Sequence, residues 1–143
     1  RQMCIRDSIY ALHLANLIPE QVIGAVTMST PYGGALQADF AKYFLPFSRL
    51  LRDIGPASWP MSRADRIHIQ HPWTNIVTVK GSAPWIHGDN DGVVTIASQR
   101  HHKEGMELVD VDYNHYEVVL SDKVISIIKE RINMLSSKEY ENT

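Results

Sequence analysis

Hydrophobic and polar positions change period several times along this chain, and each change marks an element. Between Ile9 and Ile18 the apolar residues recur at helical spacing, with Ala11, Leu14, Ala15 and Ile18 on one face, and Pro19 ends the run. Val22 to Ser29, "VIGAVTMS", is short, apolar and rich in β-branched residues, which predicts a strand buried on both faces. The "TPYGG" that follows predicts a turn, because Pro fixes one torsion and paired Gly admit torsions closed to other residues. From Ala35 to about His71 the pattern is helical and aromatic. Phe40, Phe44, Phe47 and Leu51 share a face, Pro46 predicts a break or kink, and "DIGPASWP" predicts an end.

Asn75 to Gly81, "NIVTVKG", predicts a second buried strand, and "SAPWIHGDNDGVV" the loop after it. Met106 to Asp112 alternates apolar and acidic residues, as a strand nearer a sheet edge does. A last helix starts at Ser121 as N-cap and places Ile125, Ile128, Ile132 and Leu135 on one face. The closing "SSKEYENT" predicts a polar, frayed tail. Strands separated by helical crossovers imply a parallel sheet, hence an α/β fold without internal repeats.

Composition narrows the classes of function. The chain of 143 residues, 44% of them hydrophobic, suits one domain with a sizeable core. A formal net charge of -2 gives no electrostatic case for nucleic acid or an anionic membrane surface as partner. No apolar run approaches the length needed to cross a bilayer. The single Cys4 excludes an internal disulfide and a multi-Cys zinc site.

In a parallel sheet, reactive groups collect on loops beyond the carboxyl ends of the strands. Two such loops carry chemistry: "HGDNDGVV" after the second strand and "YNHYEVV" after the third. Between them they offer a carboxylate, Asp91, and an imidazole, His115. A carboxylate that orients a His and steadies its imidazolium is two thirds of a nucleophile–base–acid triad. Gly92 lets the turn present Asp91 tightly, with Val93 and Val94 as anchors. Each loop also has an ordinary reading. Asp and Asn bond their own backbone in surface turns, and a His after a strand is commonly a hydrogen-bonded, partly buried residue.

The succession "TMSTPYGGA", aromatic helical insert, "HGDNDGVVTIAS", "YNHYEVVLSDKV" resembles the C-terminal half of α/β-hydrolase-fold esterases and lipases, over about Ile9 to Leu135. The resemblance implies Asp91 as the triad acid, with Asp89 as the fallback, and His115 as the base. It departs at Thr95, where the family usually has Pro. It implies a carboxylic ester, small-molecule or lipid, as substrate, and no cofactor or metal. It makes the insert of about residues 35–71 a cap or lid, in which Phe40, Phe44, Phe47, Leu50 and Trp59 either wall an acyl pocket, meet a lipid surface, or pack the insert on the core. Amidase, acyltransferase and dehalogenase activities, and a non-catalytic binding module, occur as alternatives on the same fold. An unrelated α/β domain binding a divalent cation through "HGDNDGVV" is a further one.

The family's nucleophilic Ser lies on a G-x-S-x-G elbow before the first helix, and no G-x-S-x-G occurs in this sequence. The resemblance places it inside "RQMCIRDS" or just before. Ser8 lacks flanking Gly and reads as the N-cap of the first helix; Ser29 reads as a turn hydrogen-bonder; Cys4 has no elbow. Residues 1–8 resemble the in-frame translation of a transposon-end sequencing adapter. The expectation is a partial hydrolase domain over residues 9–143 that is itself inactive, with its first strand left as an apolar edge. The sequence carries no sign of compartment. His68 and His71 in "HIQH" read as two surface histidines on a helical turn. Glu117 is noted for a calcium site of the kind seen in some bacterial lipases.

Overall fold

A computed structural model describes residues 3–34, 59–101 and 104–141. Three strands, β1 (Ala25–Met28), β2 (Trp73–Thr78) and β3 (Met106–Val111), form a parallel sheet in the order β1-β2-β3. Ala25 pairs with Trp73 and Trp73 with Met106, while Thr78 pairs with Val111 at the carboxyl end. The α/β class expected from the alternation is therefore present.

Alternation along each strand divides the core into two clusters. Ala25, Trp73, Met106 and Leu108 pack with Ile9, Leu12 and Ala15 of α1 (Met3–Leu17) and with Met61 and Ala64 of α2 (Trp59–Ala64). Val26, Met28, Ile76 and Val111 pack with Val124, Ile127 and Ile128 of α4 (Asp122–Glu141). The result is three layers, helices–sheet–helix, with β2 central and buried at all six positions. A one-turn helix, α3 (Ile96–Gln99), sits in the β2–β3 connection.

Several boundaries and faces differ from expectation. β1 covers four residues and is half-buried, being an outer strand of the described sheet, whereas the sequence predicts burial on both faces. α1 begins at Met3, because nothing from Met3 to Ser8 breaks a helix; Ser8 lies inside it and is not its cap. Its buried line is Ile9, Leu12 and Ala15, while Leu14 is 52% exposed. Apolar residues surround this helix, so period alone does not choose the face. α4 starts as predicted, with the Val124 N–H donating to Ser121 Oγ at 3.5 Å. It buries Val124 and leaves Ile125 and Ile132 exposed. It also continues through most of the expected frayed tail, where Ser136 and Ser137 hydroxyls donate to carbonyls four residues back.

Trp59 and Pro60 open α2 where the sequence predicts an end. Pro is tolerated in a first turn because the N–H it lacks would be unpaired there. Phe40, Phe44, Phe47, Leu50 and Leu51 of the expected cap, with Pro46, lie outside the described residues. Trp59 is exposed and stacks on His13 of α1, with the Arg63 guanidinium over its ring. "HIQH" is not a helical turn. It follows α2 outside any helix or strand, with His68 exposed and His71 half-buried. No helix among the described residues is long and apolar enough to cross a membrane.

Candidate active site

Register brings the two candidate loops together. β2 and β3 are parallel neighbours that end level with one another, so both loops leave the same edge of the sheet. Pairing continues past the strands, with Val79 N–H donating to Val111 O and Lys80 N–H to Tyr113 O. Gly81 then lies directly against Asp91. A Cβ at this position would sit 2.3 Å from the Asp91 carbonyl carbon, and its φ of +152° is one that other residues rarely adopt.

The acid loop folds back as a tight turn closed by an Asn90–Thr95 bridge. Asn90 Oδ1 accepts from the N–H of Ala83 and of Gly92, and Gly92 takes a φ of +96°. Buried Val94 anchors the turn, and Thr95 caps α3 by accepting from Ser98 N–H. Thr95 therefore has a structural use of its own.

Asp91 is completely buried. Its Oδ1 accepts from the N–H of Val93 (3.0 Å) and Val94 (2.9 Å), the ordinary turn role. Its Oδ2 faces His115 Nδ1 at 2.8 Å. One oxygen builds the loop and the other meets the imidazole, so the two readings of this residue are compatible. Burial alone would raise the Asp91 pKa. Hydrogen bonds from His115, Thr78 and the Val94 N–H, with the charge of His115, outweigh it and lower the pKa below 3.8.

His115 is held from two sides. Its own N–H donates to Asp91 O at 3.1 Å, and the turn that carries it is braced reciprocally. Asn114 Oδ1 accepts from the N–H of Tyr116 and Glu117, while Glu117 Oε2 accepts from Asn114 N–H. That is the capping-box arrangement, with His115 inside it. Tyr116 packs edge-on against the ring. Because a carboxylate oxygen accepts, Nδ1 carries the proton of the neutral ring and Nε2 keeps the lone pair. The ring is 13% exposed and Nε2 has no hydrogen-bond partner among the described residues.

The other candidates separate from this pair. Asp89 is exposed and contributes its carbonyl to the loop, accepting from Ile96 N–H. Ser29 is buried, has a φ of +50°, and bonds Thr78 Oγ1 through its hydroxyl at 2.8 Å. Glu117 is committed to its turn and to Lys80, 3.8 Å away. A cation at Asp91 would have to displace five internal donors, which counts against the cation-loop alternative. Among the described residues no cluster of three or more His, Cys, Asp or Glu stands where it could hold a metal ion.

Two contributors were not foreseen from the sequence. Thr78 Oγ1 donates to Asp91 Oδ2 at 2.5 Å, and Gln99 Nε2 donates to the same oxygen at 2.9 Å. Thr78 had a weak signal as a polar residue within an apolar strand. Gln99 had none, because its position behind Asp91 depends on the packing of α3. Comparison of the chain with known protein families, with curated proteins and with solved structures returns no match.

Proposed function

We propose that Asp91 and His115 are the acid and base of a Ser–His–Asp hydrolase acting on carboxylic esters, its sheet being the C-terminal part of an α/β-hydrolase fold. One observation carries this reading. A buried, hydrogen-bonded carboxylate holds the Nδ1–H tautomer of a His whose Nε2 meets no partner among the described residues, on loops after two adjacent parallel strands.

In the proposed reaction a Ser Oγ attacks the acyl carbon while His115 Nε2 takes its proton. The tetrahedral intermediate collapses as Nε2 returns that proton to the leaving alkoxide. Water, deprotonated by the same nitrogen, then releases the acid. Asp91 stays ionised and stabilises the imidazolium. No Ser of this sequence stands on a G-x-S-x-G elbow, so neither the nucleophile nor the backbone donors for the oxyanion are assigned to its residues. Ser29 is turned toward Thr78, behind the acid.

The test is an upstream-extended reading frame of the same gene carrying a G-x-S-x-G elbow, assayed on a short-chain activated ester. Hydrolysis is expected. His115→Ala should reduce kcat by about 10³-fold or more, and the 143-residue chain alone should be inactive. Hydrolysis that survives His115→Ala would refute the assignment.

A further inference from the structure

Asp91 Oδ2 accepts three donors, and two of them come from outside the candidate pair. We propose that Thr78 and Gln99 are positioning residues that aim and anchor the Asp91 carboxylate toward His115. The proposal rests on reading Asp91 and His115 as the acid–base pair, and its test is independent of any hydrolytic activity.

The direction of every hydrogen bond around the acid follows from its neighbours. Gln99 Oε1 accepts from the Thr78 N–H at 2.9 Å, so the other end of that amide, Nε2, must face Asp91. Thr78 Oγ1 has a single proton. Its 2.5 Å contact with Asp91 is shorter than its 3.1 Å contact with Gln99 Oε1, so the proton goes to the acid. The Ser29 hydroxyl then donates to Thr78 Oγ1 and holds that rotamer. A carboxylate meeting only donors is kept ionised without solvent.

Gln99 is itself tied to the sheet interior. Asn75 Nδ2 donates to Gln99 O at 2.9 Å, and Asn75 Oδ1 accepts from Thr27 Oγ1 at 2.9 Å. The bracket is thus anchored to β1 and β2, while Asp91 and His115 ride on loops. Without Thr78 and Gln99, Oδ2 would keep one partner in a site closed to water. The carboxylate would then either rotate away or take up a proton, and both free the imidazole from the Nδ1–H tautomer.

The test uses nitrogen-15 histidine NMR on the whole chain, reading the tautomer of the neutral His115 ring. Asp91 is the ionisable group touching the ring nitrogens, Tyr116 packs on the ring edge, and the exposed Lys80–Glu117 pair sits at the same turn. In wild type the Nδ1–H form should dominate the neutral ring. Thr78→Val and Gln99→Met should each produce a mixture of tautomers in the neutral ring, because a carboxylate that has lost a fixed donor no longer faces Nδ1 in one orientation. Thr78→Ser, which keeps the hydroxyl, should restore the wild-type signature. If Thr78→Val fails to fold, Gln99→Met alone decides. A folded Gln99→Met with an unchanged His115 tautomer, or a Thr78→Ser that behaves like Thr78→Val, would overturn the proposal. Either result would leave the ester-hydrolase reading to its own assay.

Discussion

Asp91 joins a surface-turn chemistry to a buried one, and its two oxygens divide the work. That division predicts an acid-sensitive fold. The lowered pKa means that, just below 3.8, the unfolded chain binds more protons than the native one. Stability therefore rises with pH across that window. The contribution of Asp91 is complete above its unfolded value and is lost as pH falls through the lower native value. Urea unfolding of wild type between about pH 2 and pH 6 should show this loss. Asp91→Asn should be about 1–3 kcal/mol less stable at neutral pH, because its amide meets donors where the carboxylate met them. Its acid limb should be flatter. An acid limb identical to wild type would show that other carboxylates set the acid response.

At the scale of elements, the helices test how far periodicity can be trusted. α1 carries apolar residues on nearly every side, and its contact with Trp73, Met61 and Met106 selects Ile9, Leu12 and Ala15 as the buried line. The spacing by itself pointed to Leu14, which is 52% exposed. Leu12→Ala should therefore cost about 2–5 kcal/mol, and Leu14→Ala should stay within about 0.5 kcal/mol of wild type. Chemical denaturation of both variants checks the face; equal losses would contradict it. In α4 the same one-position rotation brings Val124 into the core in place of Ile125.

Over the whole molecule, the same choice of face leaves Tyr10, Leu14 and Leu17 as an exposed stripe on α1, at 41%, 52% and 71% exposure. Contiguous apolar surface of this kind favours self-association. Light scattering should show apparent mass rising with concentration, and Leu14→Glu combined with Leu17→Glu should suppress the rise with little change in stability. A concentration-independent monomer for wild type would contradict this expectation.

Much was legible in the residue order. Three strands, the first and last helices and the α/β class follow from changes of hydrophobic period, because burial imposes that period locally; α2 and α3 do not. The meeting of Asp91 and His115 was legible as loops at like ends of parallel strands, since adjacent strands in one register must bring such loops together. Neither Thr78 nor Gln99 could be placed from the sequence, because their contacts join three separate segments through the packing of a one-turn helix. Gly81 was unremarkable in the sequence for the same reason: the backbone it must clear is ten residues away. The chain order thus determined which groups stand at the sheet's edge. Only tertiary packing decided which face each helix buries, and that the Asp91 carboxylate meets donors alone.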